Sequence, residues 1–295
     1  RQQEFRLPPE TKLGHVHLRI KDLQSALGFY EDLLGFRQAA TRDGTLALSP
    51  TGQWPYLVLL TELPGAQPQP PGTTGLYHVA IRYPTRKTLA RSFQRLVAAK
   101  WPFQGFADHL VSEALYLADP DGNGLELYVD RPRALWERRG GQIKMGTEPL
   151  DVEDLLQEAA QDPEPWTGPD PETEVGHVHL KVSNLDRAEA FYHGLLGLDV
   201  TQRGYPGALF LSAGGYHHHI AVNVWSSRNG PAPPPDSVGL VCLALILPGE
   251  DVWHALHTRL AEADIRLAPG LEYPSGNSVL VQDPDGNGIE LVVIP

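Results

Sequence analysis

The pentapeptide Gly14-His15-Val16-His17-Leu18 returns unchanged as Gly176-His177-Val178-His179-Leu180, 162 positions later. Phe29-Tyr30 with Leu33-Leu34-Gly35 returns at the same offset as Phe191-Tyr192 with Leu195-Leu196-Gly197, so the copies align without a gap. A period of this kind constrains a fold more than any local propensity, because each copy must be one supersecondary unit that buries its apolar face against a neighbour. A second related pair begins at Gly75-Leu76-Tyr77-His78-Val79-Ala80-Ile81 and at Gly239-Leu240-Val241-Cys242-Leu243-Ala244-Leu245. Each member of that pair ends in the same hexapeptide, Asp119-Pro120-Asp121-Gly122-Asn123-Gly124 or Asp283-Pro284-Asp285-Gly286-Asn287-Gly288. The chain therefore reads as four modules grouped in two halves.

Within the first module, residues 14–20 alternate apolar and polar as a half-buried strand does. Asp22 is an N-cap candidate, and Leu23, Ala26, Leu27, Tyr30, Leu33 and Leu34 have the spacing of a helix over 23–34 that stops at Gly35. Short strands are expected at 46–48 and 56–60. The second and fourth modules carry helical spacing over 85–99 and 251–263. Their hexapeptide is turn chemistry, with Pro presetting one turn residue and Asn-Gly tolerating positive φ, and it leads into strands at 125–129 and 289–293. The modules so defined span 11–66, 73–130, 175–228 and 237–295, giving halves of 11–130 and 175–295. Residues 131–174 are basic at first, then carry a short acidic helix over 152–160 and a proline-rich extended stretch, and read as a surface linker. Residues 1 to 10 read as a loose polar lead-in.

A formal charge of −12 with a pI near 5.4 argues against a nucleic-acid surface, which needs a basic stripe. The single Cys242 excludes an internal disulfide framework and suits a reducing compartment. No apolar run is long enough to span a bilayer, so the expectation is a cytoplasmic protein without membrane or nucleic-acid partners.

The chemistry-bearing residues stand inside apolar strands. Tyr216-His217-His218-His219-Ile220-Ala221-Val222 runs three histidines into a strand, and a buried imidazole needs a partner, a metal or a proton to handle. Glu126 and Glu290 each interrupt an apolar strand, where a carboxylate wants a cation. A solvated edge-strand glutamate is the plainer reading of one such residue. Two copies with histidines in companion strands reverse that preference.

These motifs resemble the vicinal oxygen chelate superfamily of glyoxalases, bleomycin resistance proteins and extradiol dioxygenases, and within it the bacterial catechol 2,3-dioxygenases. The resemblance covers both halves and omits the lead-in and linker. It implies an α+β fold of four βαβββ modules paired into two cupped mixed sheets. It also implies an extradiol dioxygenase that cleaves catechol or a related vicinal diol with O2 at a site of two His and one Glu holding Fe(II), with Mn(II) as the alternative metal.

Carried onto this chain, the family pattern is filled by modules two and three together. The implied metal ligands are His78, Glu126 and His177. His218 is the implied acid and base, accepting a phenolic proton and returning it, while His109 and Tyr116, ten residues before Glu126, would hold the substrate oxygens. Module four departs from the pattern with Cys242 where His is required and Leu280 where Tyr is required, and module one has Pro55 at the base position. Pairing two with three and one with four is therefore favoured over sequential pairing. His17 and His179 share a face with His15 and His177 and are the alternative ligands. His15 with Glu290 and Cys242 is left as a degenerate pair or a second weak site. The rival functions are a glyoxalase-like lyase or isomerase, which wants a second metal carboxylate, and a metal-free binding or resistance protein. Assembly into a homodimer stays open.

Overall fold

The computed structural model describes residues 5–162, 164–271 and 277–294. The first module is β1 (Lys12–Ile20), α1 (Leu23–Leu27), β2 (Arg37–Arg42), β3 (Thr45–Ser49) and β4 (Val58–Glu62). The second is β5 (Gly75–Tyr83), α2 (Arg86–Ala98), β6 (Phe103–Asp108), β7 (Ser112–Ala118) and β8 (Gly124–Asp130). A connecting stretch then carries β9 (Arg138–Arg139), β10 (Gln142–Ile143) and α3 (Val152–Ala160). The third module is β11 (Glu174–Lys181), α4 (Leu185–Glu189), β12 (Asp199–Gln202), β13 (Ala208–Ser212) and β14 (Ile220–Asn223). The fourth is β15 (Gly239–Leu247), α5 (Glu250–Glu262), β16 (Ala268–Pro269), β17 (Asn277–Gln282) and β18 (Gly288–Val293).

The helices begin where the sequence offers caps. Asp22 accepts a hydrogen bond from the Ser25 backbone N–H at 2.7 Å, Asn184 does the same for Arg187 at 3.0 Å, and Thr85 with Thr88 closes a capping box on α2. The helix expected over 23–34 is not uniform. It widens to a π-turn at Gly28–Leu33, and the repeat copies this at Ala190–Leu195. The wider turn delivers Tyr30 and Tyr192 to the two hexapeptides, where their hydroxyls donate to Asp119 at 3.0 Å and Asp283 at 2.8 Å. Each aspartate also accepts the backbone N–H groups two and four residues on, so the hexapeptide is a satisfied structural turn that ties modules one to two and three to four.

The strands nevertheless pair across those ties. One eight-stranded sheet has the order β12-β13-β14-β11-β5-β8-β7-β6, and the other β16-β17-β18-β15-β1-β4-β3-β2. The first therefore joins modules two and three, and the second joins modules one and four. In each, the two opening strands meet antiparallel at the centre, and each opening strand is flanked on its other side by a parallel strand. This is the α+β architecture of two mixed, cupped sheets.

The two-residue period of a strand sorts the side chains. On β5 and β8, Val79, Ile81, Leu125 and Leu127 join the apolar core under the helices, which takes members from both sheets. His78, Ala80, Glu126 and Tyr128 alternate with them on the opposite, concave side. Burial of that polar row is the event that needs a chemical reason.

Two segments depart from their expected roles. The lead-in is docked, with the Leu7 N–H donating to Gly197 O at 2.9 Å and Arg6 paired with Asp199 at 3.2 Å. The connecting stretch is not a surface linker, since Trp136, Ile143, Leu155 and Ala159 are buried. Its polar composition hid a few well-spaced apolar anchors.

Candidate active site

The concave face of the sheet built from modules two and three encloses a cavity of about 470 Å³. At its base the strand register places His177 of β11 opposite Ala80 of β5, Ala80 beside Glu126 of β8, and Glu126 opposite Tyr116 of β7. His78 lies one rung along, opposite His179. The small Ala80 between His177 and Glu126 leaves space that a larger side chain would fill. Gly176 has a separate reason: a Cβ there would sit 1.8 Å from the Tyr128 hydroxyl, so the residue that leads into His177 has no room for a side chain.

His78, Glu126 and His177 converge. Their ligating atoms lie within 4.8 Å of one another, with Nε2 of His78 3.0 Å and Nε2 of His177 3.1 Å from Oε2 of Glu126. All three side chains are buried. His78 Nε2, 3.0 Å from the carboxylate, makes no hydrogen bond among the described residues, so a buried ring nitrogen at this group is left available to a ligand. Two imidazoles and one carboxylate on one side of a cavity are the donor set of a facial-triad divalent metal site, and on these observations the residues fit such an ion.

The protonation states agree. Burial drives the His177 pKa down to about 4, against the pull of Glu126, so it is a neutral imidazole near neutral pH. Burial pushes Glu126 upward, but the neighbouring His177 and His78 imidazoles outweigh it and hold the carboxyl well below its ordinary range.

His179 and His17, the alternatives one rung away, are engaged elsewhere. His179 Nε2 accepts from the Asn223 amide at 3.0 Å, and His17 Nε2 is 2.7 Å from the Thr61 hydroxyl. Neither belongs to a three-ligand cluster among the described residues.

The remaining candidates also line the cavity. His109 Nδ1 donates to the Gly146 carbonyl at 2.7 Å, leaving Nε2 as the acceptor for the Tyr116 hydroxyl at 2.6 Å. Burial, with the nearby Glu126 charge, pushes the Tyr116 pKa well up, so it remains a phenol and a donor. His218 packs against His177, with ring centroids 4.1 Å apart and the ring planes tilted by 50°. Burial, followed by the neighbouring His177 and His217, keeps its pKa well below the ordinary value.

Sequence reasoning missed Asp130, the carboxylate at the far end of the bonds behind His218. His217 Nε2 donates to Asp130 Oδ1 at 2.8 Å, so its Nδ1 is an acceptor, and the His218 Nδ1–H donates to it at 2.8 Å. That chain of tautomers leaves a lone pair on His218 Nε2. Asp130 is held in turn by Arg82 at 3.0 Å and by the Tyr216 hydroxyl. The available signal was a departure from the repeat: Glu126 is followed two and four residues on by Tyr128 and Asp130, whereas Glu290 is followed by Val292 and Ile294. The connecting stretch was missed as well, and its Met145, Gly146 and Thr147 form one wall of the cavity.

Burial of neutral histidines has a thermodynamic consequence. His17 and His177 have folded-state values near 4 against an ordinary 6.5, so between those values the unfolded chain binds more protons. The stability of the metal-free protein is therefore expected to rise as pH increases from about 4 to about 6.5. Urea midpoints across that window check this, and a flat or falling profile would refute it.

A family model described as the Glyoxalase/Bleomycin resistance protein/Dioxygenase superfamily matches residues 12–127 and 174–291, and the chain belongs to that superfamily. A curated relative, catechol-2,3-dioxygenase of Bacillus subtilis (strain 168), is 41% identical over 279 residues, covering 93% of this chain and 94% of the relative. Similarity of that extent makes this an extradiol dioxygenase-like enzyme. Biphenyl-2,3-diol 1,2-dioxygenase 3 of Rhodococcus globerulus is 29% identical over 124 residues, covering 40% of this chain and 63% of the relative. Among solved structures, a putative dioxygenase from Bacillus subtilis superposes with a TM-score of 0.68 at 14% identity, covering 99% of this chain and 87% of that one. Glyoxalase I from Zea mays superposes at 0.57 with 16% identity, covering 96% of this chain and 92% of that one. These two carry the fold alone. No helix among the described residues is long and apolar enough to cross a membrane.

Proposed function

We propose that the chain cleaves catechol or a related vicinal diol with O2 at Fe(II) held by His78, Glu126 and His177, in the unit formed by 73–130 and 175–228. The observation that carries this is the convergence of the three donors at the base of a cavity whose wall presents His218, Tyr116 and His109. A divalent iron held by these three residues would supply positive charge to a bound diol and the means to activate dioxygen.

The chain's own groups have separable tasks. Tyr77, Phe106, Phe210 and Trp225 provide flat apolar walls at a volume suited to a small aromatic ring. His218 Nε2 takes a proton from a substrate hydroxyl and gives it back during ring opening. Tyr116 and His109 orient the substrate oxygens. Asp130 and His217 keep His218 in the tautomer that makes Nε2 the base. Asp130→Asn is therefore expected to lower kcat by roughly 10-fold or more, with metal content unchanged. Steady-state kinetics with metal analysis checks this, and unaltered kcat would remove Asp130 from the chain of bonds.

A glyoxalase-type centre would want a second carboxylate, and Glu126 is the one acidic residue in the cluster at this cavity among the described residues. The direct test is to load the protein with Fe(II) anaerobically and mix it with catechol in aerated buffer. A yellow ring-opened product formed with one O2 consumed per diol supports the reading. Metal retention without oxygen uptake, across several substituted catechols, would overturn it.

A further inference from the structure

We propose that His15, Cys242 and Glu290 form a second metal site on the concave side of the other sheet, suited to a thiophilic divalent ion such as Zn(II). The three ligating atoms lie within 4.8 Å of one another, and His15 Nε2 is 3.0 Å from Glu290 Oε2, the spacing found between His78 and Glu126. All three residues are buried.

Their positions reproduce those of the first site strand for strand. Cys242 of β15 is opposite His17 and beside Gly288, as His78 of β5 is opposite His179 and beside the Gly124 end of β8. Ala244 stands beside Glu290 as Ala80 stands beside Glu126. One donor has changed, from imidazole nitrogen to sulfur.

That change alters charge and preference together. At the first site a divalent ion with one carboxylate keeps a net positive charge. At the second, carboxylate and thiolate neutralise it, as a buried ion in a low-dielectric interior requires. On binding, the Cys242 S–H bond breaks, its proton passes to solvent, and the sulfur electron pair forms the metal bond while His15 contributes its neutral lone pair. Sulfur favours zinc-like ions over the harder ions that an N and O set accepts.

The outer contacts already suit a ligand. Glu290 Oε1 accepts from the Leu271 N–H at 2.5 Å and the Ser278 hydroxyl at 2.9 Å, which orients the carboxylate, while its Oε2 is the oxygen 3.0 Å from His15 Nε2. Leu271 also borders a cavity of about 570 Å³ on this face.

The test is titration of chelator-treated protein with Co(II), reading both stoichiometry and the near-ultraviolet sulfur-to-cobalt charge-transfer band. The three donors of the first site include no sulfur and Cys242 is the chain's one cysteine, so a thiolate band reports the second site alone. Wild type is expected to bind two equivalents with the band, and Glu126→Gln to keep the band while losing one equivalent. Cys242→Ser and His15→Ala, each with an unchanged circular dichroism spectrum, are expected to lose the band and one equivalent. A single equivalent in wild type, two equivalents without the band, or a full band in His15→Ala would overturn the proposal.

Discussion

Glu126→Gln is expected to leave a folded protein that has lost its catalytic metal and all measurable ring cleavage. The amide matches the carboxylate in shape, so packing against the buried neighbours survives, but it brings no negative charge to a divalent ion and is a poor ligand. Loss of a supporting outer-shell partner alone typically costs 10- to 100-fold in metal affinity, so loss of the only anionic ligand should cost more than about 100-fold. The carboxylate is also the group that both His78 and His177 face at about 3 Å, and among the described residues no second acid joins this cluster. Dialysis against buffered Fe(II) followed by metal analysis and oxygen uptake measures both effects. Wild-type metal content in the variant would remove Glu126 from the ligand set.

His218→Ala separates holding the metal from handling the proton. The imidazole packs against His177 but is anchored through Nδ1 to His217, and its free Nε2 faces the cavity. The variant should retain the ion and bind diol with little change in KM while kcat falls about 10²- to 10⁴-fold, the usual contribution of a positioned acid or base. A parallel loss of metal would make His218 a ligand and void its role as base.

Much of this arrangement was legible in the chain because it is written twice. The Gly-His-Val-His openings and the paired hexapeptides declare four modules, and the location of intact ligands in modules two and three, with Cys242 and Leu280 in module four, points to the crossed pairing seen in the sheet order. Features without a copy were not legible. Asp130 and Tyr128 have apolar counterparts in the repeat, so the period gave no reason to expect polar groups there. The π-turns escaped for another reason: an apolar period fixes which face is buried but not whether a turn closes after four residues or five, and here the choice follows from the distance Tyr30 and Tyr192 must reach to the aspartates. The burial in the connecting stretch was not legible because Trp136 and Ile143 are sparse in a polar run, and they pack in a cluster with Val111 of module two and Tyr216 of module three.

The most direct measurement is anomalous diffraction at the iron edge from crystals loaded with Fe(II) under anaerobic conditions. A single strong peak on the concave face of the β5–β8 and β11–β14 sheet, within bonding distance of Nε2 of His78, Nε2 of His177 and an oxygen of Glu126, is the expected result. Iron bound at other residues, with these three side chains still meeting only one another, would contradict it.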